Sequence, residues 1–158
     1  MRADDIAVAH TPDGGYGEVM PPPVLAGCTE PLAPGIPDLR GLWRVVAVEW
    51  KDGDLDRPLD HVERIEQCGD RVVVTAGGVV HDMRADGTAE GGVNDVTPAG
   101  VPISVVCTFE DGVHTLRPVG MPGVVVTRRL DGHQLVWDYG PLFVARLERL
   151  TESEVSPA

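Results

Sequence analysis

The sequence predicts an all-β fold: a closed antiparallel up-and-down β-barrel of roughly 8–10 strands, preceded by an irregular N-terminal arm. Three observations lead there. Val dominates the apolar residues while aromatics make up only 4% of the chain, and a branched Val side chain packs well on a pleated sheet. Gly (19) and Pro (14) are abundant and interrupt the chain at short intervals, as turns require. No helical apolar stripe of useful length separates the candidate strands, which argues against βαβ units and a parallel sheet. The 158 residues fit one domain, and 42% hydrophobic residues suffice for a core.

Residues 1–38 form the arm. The stretch PDGGYGEVMPPPVLAGCTEPLAPGIPD has no period and too many breakers for a helix or a central strand. It still carries Tyr16, Val19, Met20, Val24, Leu25, Leu32 and Ile36, more apolar residues than a disordered tail usually holds. Two readings stay open, a segment lying against the domain as a lid and a loose extension. Regular patterning begins at Leu39 and defines a barrel domain over 39–151, with a tail at 152–158.

Strands are expected near 42–50, 61–67, 70–76, 79–85, 88–96, 102–110, 113–119, 123–129, 133–139 and 142–150. The joints between them read CGD, AGG, ADG, EDG, LDG and YGP. Asp-Gly in particular favours tight hairpins because both turn positions tolerate positive φ. A meander this wide curls and closes, which removes its exposed edges. A two-sheet sandwich is the competing arrangement.

The formal net charge of -12 argues against nucleic acid and against anionic membrane surfaces. Lys51 is the only lysine, and the Arg, Ala, Val and Gly bias is that of a high-GC bacterial genome. Cys28, Cys68 and Cys107 are an odd set without close spacing, which predicts neither a disulfide framework nor a zinc knuckle. The segment MRADDIAVAH lacks the apolar stretch of a secretory leader, and no apolar run reaches transmembrane length. The expected address is the cytoplasm.

Gly41-Leu42-Trp43 opens the first strand, and Arg146-Leu147-Glu148-Arg149-Leu150 closes the last. This pairing resembles the calycins, the lipocalin-like barrels in which a G-x-W meets an Arg at the closed end. The resemblance implies that Trp43 plugs the floor and that Arg149 or Arg146 covers it. The stretch TRRLDGHQLVWDYGPLFVARLERL also resembles the C-terminal half of intracellular fatty-acid-binding proteins, where T-R-x-x-D-G-x-x-L-V precedes a final strand bearing an Arg. Two features differ from that family. Residues 51–60 (KDGDLDRPLD) are too short and too rich in breakers for its helical hairpin, and Arg146 is followed by Leu147 and Glu148 instead of its R-x-Y carboxylate clamp. A third resemblance is architectural only: small bacterial barrels that close polyketide rings, the spirotetronate [4+2] cyclases, some with an N-terminal arm over the mouth.

Strand residues alternate between faces. If Trp43 faces inward, so do Val45, Ala47 and Glu49. Ile65 would bring His61, Glu63 and Gln67 with it. Met83 would bring Val79 and His81. Ile103, Val105, Cys107 and Phe109 share a face, as do Leu135, Trp137 and Tyr139. One of Arg128 and Arg129 must face inward, where it would suit an enolate or carboxylate. A one-residue slip inverts each set. The expected ligand-contacting residues are therefore Glu49, His61, Glu63, Gln67, His81, Met83, Phe109, Arg128, Trp137 and Tyr139. The spacing of His61, Glu63 and His81 is not diagnostic of a metal site. Nucleophile elbows, P-loops and dinucleotide fingerprints are missing from the sequence, and Cys107 sits in an apolar run that suits inert burial. Neither cofactor nor metal is expected.

Two functions follow. One is cyclisation of a polyketide-like substrate folded inside the cavity, with His61, Gln67, Tyr139 or an inward Arg polarising a carbonyl. The other is binding and carriage of a small hydrophobic organic ligand. Val46, Val48 and Trp50, outward if Trp43 is inward, would also permit a homodimer.

Overall fold

The computed structural model describes residues 1–53 and 57–151; the tail at 152–158 and part of the first interstrand connection lie outside the described residues. A single antiparallel sheet is formed by β1 (Gly41–Trp50), β2 (Val62–Cys68), β3 (Arg71–Ala76), β4 (Val79–Arg84), β5 (Val93–Val96), β6 (Pro102–Glu110), β7 (Val113–Pro118), β8 (Val125–Asp131), β9 (Gln134–Gly140) and β10 (Phe143–Arg149). Its spatial order is β4-β3-β2-β1-β10-β9-β8-β7-β6-β5. Every strand pairs with its sequence neighbour except across the seam between β4 and β5, and β1 pairs with β10 to bend the meander into a barrel. One continuous sheet excludes the sandwich.

Closure is nearly complete. At the seam the two edges are joined by a backbone hydrogen bond from Arg84 to the Gly91 carbonyl, 2.7 Å, rather than by a ladder. The fifth strand is shorter than the expected 88–96 because residues 86–92 turn instead. The Asp86 carboxylate accepts from the Thr88 amide and hydroxyl, and the Thr88 hydroxyl accepts from the Gly91 amide. A Cβ on Gly92 would lie 1.8 Å from the Val105 carbonyl oxygen, so only glycine allows this turn to rest on β6.

At the closed end Trp43 is fully buried and its indole N–H donates to the Leu39 carbonyl, 2.9 Å. The Arg149 guanidinium lies 4.3 Å from the indole centroid and donates to the carbonyls of Arg40 and Asp38. Arg149 therefore covers the floor, while Arg146 pairs with Asp131 on the outside. Gly41 has φ +148°, and a Cβ there would come within 3.1 Å of Arg149 Nε. The glycine makes room for the arginine.

The arm packs on the outer face of β2–β4. Ala3, Leu25, Val73, Val80 and Cys68 form a second small core there. Arg71 is 2% exposed and its five N–H donors are all used. They reach the carbonyls of Ala3, Ile6 and Ala7 and both oxygens of Asp82. The Glu66 carboxylate accepts from the Val24 and Leu25 amides. Next to the seam, the Ala9 amide donates to Asp82 on β4 and the Thr11 amide to Asp95 on β5, so the arm straps the two edges together. A Cys28–Cys68 disulfide, with Cα atoms 6.3 Å apart, fastens the arm to β2. This corrects the expectation from cysteine spacing. Sequence distance says little about pairing once a strap folds back over a strand.

The strand faces match the alternation, with one correction. The β1–β10 register shifts between Val45 and Ala47, a bulge that spends one extra residue and inverts the rest of the strand. Val48 and Trp50 consequently pack against the core, and Ala47 and Glu49 are exposed. The expectation that Glu49 faces the cavity fails for that reason. So does the outer apolar row proposed for a dimer, since of Val46, Val48 and Trp50 only Val46 is exposed.

Candidate functional site

Between the floor and the open end lies a cavity of about 430 Å³. Its walls are mainly aliphatic, with Val74, Val105, Leu116 and Val126 among them. Short branched side chains on inward positions leave space where larger ones would fill the barrel. The open end is formed by the turn after β3, residues 97–102, residues 119–124 and the turn after β9. Val96, Val101, Val119, Met121 and Leu142, in or beside these segments, are all exposed apolar side chains.

Of the residues expected to contact ligand, His61, His81, Met83, Arg128, Trp137 and Tyr139 line the cavity. Glu63 lies directly behind them, fully buried. Gln67 and Phe109 face inward but belong to the closed end. The Gln67 amide accepts from the Leu39 N–H at 2.5 Å and donates to the Pro37 carbonyl, which makes it a clamp on the entering chain. Phe109 sits beside Ala85, Asp111 and Gly112. Alternation gives the face of a residue and not its height along the barrel. Height follows from strand tilt and stagger, and that is why these two are corrected to floor positions.

The polar part of the cavity is one cluster. Arg128 Nε and Nη2 donate to Glu63 Oε2 and Oε1 at 2.8 and 3.0 Å, a bidentate pair. His61 Nε2 lies 2.8 Å from Glu63 Oε1. The Arg128 guanidinium is 4.8 Å from the Trp137 ring centroid, and the His61 ring stacks on Trp137 at 4.5 Å. The Trp137 indole N–H is buried without a hydrogen-bond partner. Arg128 Nη1 likewise makes no hydrogen bond to protein among the described residues. Both donors belong to side chains that line the cavity.

Burial opposes ionisation of Glu63, but Arg128 and His61 outweigh it and hold the carboxyl at about 2. His114, fully buried below the cluster and 3.4 Å from the Cys107 sulfur, is driven by burial, then by Arg128, down to about 3. Burial and then Arg128 also lower His81. Cys107 is pushed up to about 12 by burial and by Asp86 and Asp70, so its thiol stays protonated and unreactive. His61 and Glu63 meet, but among the described residues they form no group of three metal-ligating side chains with His81.

Sequence reasoning missed the upper wall. Met121 lines the cavity from outside the regular strands, where alternation offers no guide, and Val124, just before β8 and on the face of Val126 and Arg128, lines it too. No residue of the arm lines the cavity.

Floor, cavity and strand order define the class of fold: a nearly closed, ten-stranded antiparallel β-barrel of lipocalin-like architecture, shared with solved structures of a bile acid-binding protein and a fatty acid transporter. In particular, the chain is similar to the zebrafish ileal bile acid-binding protein complexed with cholic acid. That match has 18% identity and a TM-score of 0.54 over 70% of this chain and 98% of the other. It is also similar to the REP1-NXSQ fatty acid transporter. A point mutant of that transporter gives 14% identity and a TM-score of 0.58 over 72% of this chain and 98% of the other, and a further structure of it gives a TM-score of 0.51. No family model matches the chain, and no curated protein does. Among the described residues no helix is long and apolar enough to cross a membrane.

Proposed function

We propose that this protein binds a small hydrophobic organic molecule inside the barrel and releases it unchanged. The observation that carries this reading is the cavity of about 430 Å³ with aliphatic walls and one compact polar cluster, the usual profile of a small-molecule site. The ring of exposed apolar side chains at the open end gives such a ligand an apolar approach. The likeness to bile-acid- and fatty-acid-binding barrels supports the same reading through the fold. The cyclase reading rested on an arm closing over the mouth; the arm reaches the rim, where the Tyr16 amide donates to the Gly78 carbonyl at 3.0 Å, but no arm residue lines the cavity. The Cys28–Cys68 bridge favours an oxidising compartment over the cytoplasm.

Fluorescence titration with Nile red, a neutral dye, tests the proposal. Saturable binding at one site is expected, and Val105→Trp, which fills the cavity, should weaken it at least about tenfold while circular dichroism stays that of the parent. Binding that is absent, or untouched by the filling variant, would overturn it. A bound polyketide recovered at the same mass but a new retention time would restore the cyclase.

A further inference from the structure

Most inward cations in an apolar cavity would serve an anionic ligand, but Arg128 is already occupied. Both Glu63 oxygens are engaged, by Arg128 Nε and Nη2 at 2.8 and 3.0 Å and by His61 Nε2 at 2.8 Å. Glu63 is fully buried and Arg128 is 5% exposed, so water screens the pair little. The opposite charges of Arg128 and Glu63 cancel within the pair. A ligand carboxylate brought to Arg128 would stand beside the Glu63 carboxylate in a desolvated site, with no second cation to offset the repulsion. Among the described side chains that line the cavity, Arg128 is the only Arg or Lys. Arg128 Nη1 nevertheless remains unused among the described residues. It can donate to a neutral acceptor at no such cost.

We infer that Glu63 sets the ligand specificity of the cavity: by occupying Arg128 it excludes free carboxylates and selects apolar molecules carrying a neutral carbonyl, such as an ester, lactone or ketone, which accepts from Arg128. This rests on the ligand-binding reading above. Glu63 acts through Arg128 and is a positioning residue.

A matched pair of probes tests it, dodecanoate and methyl dodecanoate, each displacing Nile red from the full chain at pH 8. The ester should displace the dye at a concentration at least about tenfold lower than the carboxylate. Glu63→Gln, which keeps the shape and frees the guanidinium charge, should reverse the order by tightening dodecanoate at least about tenfold while the ester changes less than about threefold. Equal or tighter binding of dodecanoate by the parent protein overturns the inference, as does a Glu63→Gln variant that binds both probes as the parent does. If that variant does not fold, the comparison on the parent protein decides alone. Dye that binds but yields to neither probe also overturns the specificity while sparing the ligand-binding reading; failure of the dye itself to bind overturns that reading.

Discussion

Single contacts at the closed end carry specific costs. The Arg149 guanidinium on the Trp43 face is partly in water, so Arg149→Ala should cost about 1 kcal/mol, measurable as a lower urea midpoint with increased quenching of Trp43 fluorescence. Gly41→Ala should do the same indirectly. Its new methyl meets Arg149 Nε at 3.1 Å and its backbone sits at φ +148°, so the arginine must move. Combining the two substitutions should cost less than the sum of each alone, because both act on one contact. Full additivity would show that Gly41 serves the backbone only. The Gly-x-Trp and the terminal Arg were legible as a pair because they resemble a known floor. The choice of Arg149 over Arg146 was not, since it turns on which face of β10 each residue takes.

Among the elements, the arm matters most. Arg71 spends all its donors on arm carbonyls and on Asp82. Removing one side of a buried ion pair leaves the other charge unpaired, a loss of about 3–5 kcal/mol. Arg71→Ala should therefore destabilise the fold by that order and make residues 3–11 the first sites cut by a nonspecific protease. Uncut arm residues in a destabilised variant would show that the strap is held mainly elsewhere. The disulfide joins residues 40 apart in sequence, and loop-closure entropy for that separation is worth about 4 kcal/mol. The denatured, unreduced protein should titrate one thiol, Cys107, and the reduced protein three. The apolar residues of the arm did signal packing, but not where. Val73 and Val80 alternate outward on β3 and β4, and such outward valines read from sequence like exposed ones until a strap covers them.

For the whole molecule, the buried titratable groups set the response to acid. His114 has a folded value near 3 against an ordinary 6.5, and His81 is shifted the same way. Below about pH 6.5 the unfolded chain takes up protons on these residues that the folded chain refuses, so stability falls as pH falls, by up to about 1.4 kcal/mol per unit for each histidine. Glu63 adds a second stage. Its folded value of about 2 lies below the ordinary 4.5, so its contribution is whole above about pH 4.5 and is lost as pH descends towards 2. Thermal unfolding at pH 8, 6, 5 and 4 should show a plateau above neutrality and then a decline that steepens near pH 4.5. His114→Gln should flatten the first stage. A melting temperature independent of pH between 8 and 5 would contradict the burial of these groups.

By itself the sequence determined the strands, their turns and most of their inward faces. Those are local properties: branched valines extend, Asp-Gly turns reverse the chain, and alternation partitions the sides. The Gly-x-Trp floor was legible too. Only the tertiary structure decided what depends on register and closure. The bulge after Val45 swung Glu49 out and Trp50 in. Stagger lowered Gln67 and Phe109 to the floor and raised Met121 to the upper wall. Barrel closure brought Glu63 on β2 against Arg128 on β8, 65 residues apart, and so neutralised the cation that the sequence offered to a carboxylate. Alternation assigns a side chain to a face, but its neighbours across a barrel follow from how the whole sheet curls.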